Sequence, residues 1–401
     1  MRIDSEIGQL KRVIVHQDAL ALKRLTPNNC EALLFDDVLW PEKADEEHQV
    51  FQSILRENDV SVYLLDELLK ETLDIPAARD WLIKKGTHRL YQNTELAAVL
   101  SDFLQSQSAR TLADCFLGGL TWKEAELDSQ NLASQVFGSH DFLLPPLPNH
   151  LFTRDTSCWI NNGVSINPMH WPARQGETDN LAVIYRFHPM FDHDNANIWY
   201  DGSDEAHPLP SIEGGDVLVL NKHTLAIGLS ERTTAYGIEL LAKSLFADSD
   251  IQQILVIEIP KTRASMHLDT VMTMIHHDMF CMAFSEQNMR SWFLRPGDEN
   301  EIVCEAQDNL IAALKHALDL KEITVITPGG DLFNQEREQW TDASNLLCIR
   351  PGTVIAYDRN IHTANKLKAH GITVLNIPGS ELGRGRGGSR CMSCPILRDD
   401  V

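Results

Sequence analysis

The residues with the most chemical capacity lie in one stretch, Gly383-Arg384-Gly385-Arg386-Gly387-Gly388-Ser389-Arg390-Cys391-Met392-Ser393-Cys394-Pro395, where four glycines alternate with three arginines and a cysteine follows directly. Such spacing predicts backbone that approaches a ligand closely and reaches φ > 0 without a side-chain clash. It also predicts a positive field that lowers the Cys391 thiol pKa and supplies thiolate. A glycine–arginine segment suits a solvated tail too, but a tail does not resume with Pro395-Ile396-Leu397. Other polar clusters fall beside the starts of apolar runs: Asn149 to Asp155, Glu213-Gly-Gly-Asp216, His267-Leu-Asp269 and Gly329-Gly330-Asp331. Asp155, Glu213 and Asp269 with His267 and Cys391 form a coherent set. Paired carboxylates hold a planar guanidinium in bidentate geometry. A thiolate attacks its central carbon, and a histidine oriented by a carboxylate carries protons to the leaving amine and from water.

Plainer readings stand beside this one. Asp155 after Arg154 suits a surface ion pair, Glu-Gly-Gly-Asp suits a turn, and His267 suits a structural histidine. His267-Leu-Asp269 followed by His276-His277-Asp278 resembles a two-metal constellation. However, 270–275 and 279–283 read as a hairpin that puts the second cluster at the opposite end. Cys391 and Cys394 have no second CxxC to complete a zinc site, so no metal centre is expected from these residues.

The elements that must position these residues read as a mixed α/β chain. Residues 11–16 and 60–65 are expected strands around a helix from 44 to 58. From 66 to 140 the texture becomes Leu-, Ala-, Glu- and Lys-rich at helical spacing, a block of four or five helices that ends at Pro145-Pro146-Leu147-Pro148. Runs 156–166 and 181–186 then read as strands. Three clearer units follow, each strand, strand, helix, strand: 216–220, 224–228, 231–246 and 254–259; then 270–275, 279–283, 307–318 and 323–327; then 345–349, 354–357, 360–370 and 372–376. Repetition of this kind predicts a closed ring of ββαβ units with the ligand site where the loops converge. The expected organisation is 1–65 with 141–401 as one catalytic unit and 66–140 inserted into it.

Composition narrows the partners. A formal charge of −22 over 401 residues carries no nucleic-acid footprint and suits a cationic substrate. The 43% hydrophobic content fits a globular core. Eight cysteines without a secretory signal fit a reducing, cytoplasmic setting, and no apolar run reaches membrane-spanning length.

Taken with Ser5 to Lys11, Leu33-Leu34-Phe35-Asp36-Asp37, Phe152-Thr153-Arg154-Asp155, Ser230-Glu231-Arg232-Thr233 and Met266-His267-Leu268-Asp269, these motifs resemble the arginine deiminases over essentially the whole chain. The resemblance implies a five-bladed pentein α/β propeller with an inserted helical domain. It implies hydrolysis of L-arginine to L-citrulline and ammonia without a cofactor, in a homo-oligomer, dimer or tetramer. By the same resemblance Cys391 is the nucleophile, His267 the general acid/base, Asp155 and Asp269 the guanidinium clamp, and Glu213 the support of the histidine. Asn149, Arg174 and Arg232 fall where the family binds the substrate's α-carboxylate. Phe152, Asp216 and Arg386 line the same pocket, with Arg386 on a loop that gates access. Relatives acting on agmatine or methylated arginine, amidinotransferases, and a non-catalytic arginine-binding protein are the alternatives.

Overall fold

Short apolar runs, buried on both faces, build this molecule. A computed structural model of the chain describes residues 1–17, 19–91, 94–127, 132–192, 197–204, 208–283 and 289–401. Five sheets repeat one pattern, in which a central strand pairs antiparallel with one neighbour and parallel with the other. In the second sheet the strands are Ser157–Ile160, Gly163–Ile166 and Asn197–Asp201; in the third, Val217–Asn221, Thr224–Leu229 and Gln253–Glu258. The fourth has Met272–His276, Met279–Met282 and Thr324–Ile326, and the fifth Leu347–Arg350, Thr353–Tyr357 and Thr373–Ile377. Each parallel pair needs a crossover, and a helix supplies it: Gln175–Phe187, Ala235–Asp248, Leu310–Leu318 and Ile361–Ala369 respectively.

The first sheet is assembled from both ends of the chain. Leu10–Val15 runs parallel to Ser61–Leu64 across the helix Pro41–Glu57, and its antiparallel neighbour is Cys394–Arg398. Arg398 fastens this join by donating to the carbonyl of Gly8 at 2.6 Å.

Two sequence expectations need correction, and one hairpin lies outside them. Residues 181–186 are helical, inside Gln175–Phe187. Leu181, Ala182, Val183 and Ile184 are all fully buried, so the run carries no amphipathic period that separates helix from strand. A hairpin, Ser291–Pro296 with Ile302–Gln307, extends the third sheet; its second strand is largely exposed and reads as polar loop. Gly329-Gly330-Asp331 does not reach the polar centre. Asp331 instead caps the helix Leu332–Trp340 by accepting from Asn334 N–H at 2.9 Å.

Between Leu65 and Leu144 lie helices Leu65–Leu73, Pro76–Tyr91, Glu95–Gln105 and Ala109–Gly118, two shorter ones, and a strand pair. Thr94 and Ser108 cap the third and fourth of these helices. Their leucines share one core with Trp159, Ile166 and Leu181 of the second sheet's unit. All eight cysteine thiols are free.

Candidate active site

Just ahead of the first strand of a sheet, the chain makes a short helical turn before it extends. Thr153–Thr156 carries Asp155, Gly214–Asp216 follows Glu213, and Leu268–Val271 follows His267 and carries Asp269. Cys391 occupies the corresponding turn before Cys394–Arg398. Gly215 allows two of these turns to meet, because a Cβ there would lie 2.8 Å from both Asp155 Oδ1 and the His267 ring.

His267 is buried between two carboxylates. Its Nε2 lies 2.6 Å from Glu213 Oε2, and its Nδ1 lies 3.6 Å from Asp155 Oδ1. Burial opposes charge on this imidazole, but Asp155 and the hydrogen bond with Glu213 outweigh it and raise the pKa to about 9. His267 is therefore an imidazolium at neutral pH. Glu213 is held well below the carboxylate range: burial is overcome by Arg232, His267 and Arg174.

Cys391 corrects the expectation of a field-activated thiol. Burial pushes its pKa well up, Asp269, Asp155 and Asp342 push it further, and Arg390 opposes them without prevailing. The loop's arginines are spent elsewhere. Arg384 pairs at the surface with Asp37 at 2.6 Å. Arg386 stacks over the Trp340 ring, 3.5 Å from its centroid, and donates to the Arg263 carbonyl. Arg390 is fully buried, giving Nη1 to Asp269 Oδ2 at 2.7 Å and Nε and Nη2 to Glu6 at 3.0 and 3.1 Å. The positive φ expected of the glycines falls on Arg386, at 63°.

Asn149, Phe152, Asp155, Arg174, Arg232, His267, Arg386 and Cys391 line one cavity. Asp269 and Glu213 stand behind this lining, in contact with Cys391 and His267. Asp216 is a brace, not a wall: it accepts from Leu268 N–H and Ser230 Oγ, both at 2.8 Å, and so fixes the turn that carries Asp269. Arg174 has its donors committed to Asp155 (2.6 Å), Glu177 (2.9 to 3.2 Å) and the Asn149 carbonyl (3.1 Å). By contrast, Arg232 Nε and Arg386 Nε and Nη1 are buried without a hydrogen-bond acceptor among the described residues. Asp155, Glu213 and His267 also bring ligand atoms within 4.8 Å of one another, but Arg174 and Arg232 already sit against the two carboxylates. His276 pairs with Asp278 in the hairpin turn instead of joining His267.

Sequence reasoning missed Arg263, Met266 and Leu34 in the lining, and Asn345. The Asn345 side chain lies 3.0 Å from the Cys391 sulfur. It had been placed inside a strand, whereas the repeat register itself marks the turn before Leu347.

The arginine deiminase family model matches residues 31–398. The chain belongs to the arginine deiminase family. Among solved structures it is similar to an AgrE variant in complex with L-arginine (14% identity, TM-score 0.54, covering 98% of this chain and 41% of that one). It is similar also to a dimethylarginine dimethylaminohydrolase adduct (17%, 0.53, 96% and 100%). A third is the product-bound N-terminal domain of ArgZ, an arginine dihydrolase of the ornithine-ammonia cycle in cyanobacteria (12%, 0.53, 96% and 97%). At these identities the likeness is one of α/β fold. The chain spans about two fifths of the length of the AgrE chains it matches. No helix among the described residues is long and apolar enough to cross a membrane.

Proposed function

We propose that this arginine deiminase family member hydrolyses L-arginine to L-citrulline and ammonia through a covalent thiouronium on Cys391. The observation that carries the reading is Asp155 Oδ1, a buried carboxylate oxygen without a hydrogen-bond donor among the described residues, in a cavity shared with His267 and Cys391. His267 Nδ1, at 3.6 Å, is too far to donate a hydrogen bond to it; a buried acceptor left without a hydrogen bond costs about 1–3 kcal/mol, and a substrate guanidinium supplies the donor. The guanidinium nitrogens of Arg232 and Arg386 that lack a hydrogen-bond acceptor among the described residues support a ligand that carries an α-carboxylate, hence arginine over agmatine. Arg174 joins them by exchanging bonds it now makes within the protein.

The order of steps follows from the charges. The incoming guanidinium offsets the carboxylates that keep the thiol neutral, and Cys391 releases its proton to water. Held about 3–3.5 Å from sulfur, the guanidinium carbon accepts the thiolate. His267, already protonated, gives its proton to the leaving nitrogen, and ammonia departs. Neutral His267 then takes a proton from water as it attacks the thiouronium. Collapse of that adduct frees citrulline, the hydroxyl proton returns to sulfur, and ammonia takes up the proton first released. We also propose that the five sheets close into a ring, a reading supported by the pairing of Cys394–Arg398 with Leu10–Val15, with 66–140 as a domain set into it.

The test is citrulline release from L-arginine by purified protein, with agmatine in parallel and a chelator present. Citrulline from arginine alone, insensitive to chelator, is expected. Turnover of agmatine instead would overturn the carboxylate assignment, and no turnover by folded protein would leave a non-catalytic binder. Cys391→Ser is expected to abolish turnover with an unchanged melting temperature, whereas Cys394→Ala keeps most activity.

A further inference from the structure

Four of the five sheets place an ionisable or nucleophilic residue two to four positions ahead of the first strand in chain order or, for the first sheet, ahead of Cys394–Arg398: Asp155, Glu213, Asp269 and Cys391. The fifth places Asn345 there, two positions before Leu347. Asn345 is buried, and three hydrogen bonds fix its amide. Its Oδ1 accepts from the Cys391 backbone N–H at 3.0 Å. Because only the oxygen can accept from that donor, the other terminal atom is the nitrogen. This Nδ2 donates to Cys391 Sγ at 3.0 Å and to the Asp269 carbonyl at 3.1 Å. One side chain thus holds both the backbone and the sulfur of the same cysteine. The nucleophile loop is built around it, since a Cβ on Gly388 would lie 2.6 Å from the Asn345 carbonyl and 2.8 Å from Oδ1. Ser389 completes the seat by accepting from Leu347 N–H at 3.0 Å and donating to the Ile355 carbonyl at 2.6 Å.

We propose that Asn345 is a catalytic residue, whose Nδ2–H donates to the Cys391 sulfur and stabilises the thiolate before attack and again as sulfur leaves. The proposal rests on Cys391 being the nucleophile. A thiolate here forms in a buried site beside Asp269, so its charge must be met by something that Asp269 does not neutralise. Arg390 is tied to Asp269 and Glu6. A neutral amide forms no ion pair with that carboxylate, and its hydrogen bond strengthens as the acceptor becomes ionised.

The test is the pH profile of Cys391 alkylation by iodoacetamide, read by mass spectrometry of the Cys391 peptide. It compares the unsubstituted chain with Asn345→Asp and Asn345→Ala, with a thermal melt for each. Asn345→Asp keeps an oxygen for the Cys391 N–H and removes the donor to sulfur. Asn345→Ala removes the donor without adding charge. Both are expected to raise the alkylation midpoint by about one pH unit, to slow alkylation near neutral pH about tenfold, and to lower kcat at least as much with a smaller change in KM. Either variant suffices if the other does not fold. An unshifted profile in a folded variant overturns the proposal even if kcat falls, because the loss is then one of positioning. Turnover by Cys391→Ser also overturns it, and an alkylation profile that still shifts identifies the nucleophile assignment as the part that failed.

Discussion

At the scale of single residues, charge compensation decides what each group can do. Arg390 forms ion pairs with two buried carboxylates, Glu6 and Asp269, and together with Arg154 and Arg398 holds Glu6 at about 2 against burial. Removing one partner of a buried pair leaves the other charge stranded. Arg390→Ala is expected to cost about 3–5 kcal/mol, read as a lower denaturant midpoint, and Arg390→Lys less. His267 gives the complementary case. Its raised pKa means that the stability from its cation is full below about 6.5, the unfolded value, and is lost as pH rises through about 9. An NMR titration of the unliganded protein is expected to find His267 still charged at pH 8, and Glu213→Gln to lower its midpoint by at least about one unit. A titration unchanged by Glu213→Gln would remove Glu213 as the orienting group. Cys391, His267, Glu213, Asp155 and Asp269 were legible as chemistry because carboxylate, imidazole and thiol are scarce and reactive types. Asn345 was not, because it reads as the first residue of the apolar run 345–349 until its position in the repeat is counted.

Elements carry the next level of control. The helix Leu332–Trp340 places its last residue, a half-exposed Trp340, under the Arg386 guanidinium. An exposed cation–π contact contributes about 0.5–1 kcal/mol. Trp340→Ala is therefore expected to speed tryptic cleavage after Arg386 about two- to fivefold, while Trp340→Phe changes it less; equal rates would show that the stack does not hold the loop. This helix was invisible to pattern reading, since Asn334, Gln335, Glu336, Arg337 and Glu338 carry no apolar period. The three repeated strands in each of the third, fourth and fifth sheets were readable because largely apolar runs of three to six residues fall between turn residues. Gln175–Phe187 failed by the same rule, since burial on every side erases the period that distinguishes a helix.

For the whole molecule, the first sheet is the joint that depends on the longest sequence separation. Leu10 pairs with Arg398, Ile14 with Cys394, and Arg2 N–H reaches the Ile396 carbonyl at 3.0 Å. No local pattern announces such a pairing: the sequence reading had strand, helix, strand for this unit and lacked its third strand. Deleting residues 394–401 is expected to abolish a cooperative melt, whereas deleting the exposed 400–401 leaves it unchanged, as checked by calorimetry. A truncated chain that still melts cooperatively would show the closing strand to be dispensable.

That closing strand also sets a timetable for biosynthesis. Cys391 is seated by Asn345 from one side and followed within three residues by the strand that completes the first sheet. Domains fold as units while a chain emerges from the ribosome, but Leu10–Val15 gains its Cys394–Arg398 partner only after every other described sheet between them has been made. Polypeptides stopped short of this strand would lack both the seat of Cys391 and the partner that completes the first sheet, so none would present an assembled site. Protein released early by a faulty stop would be inert rather than deregulated.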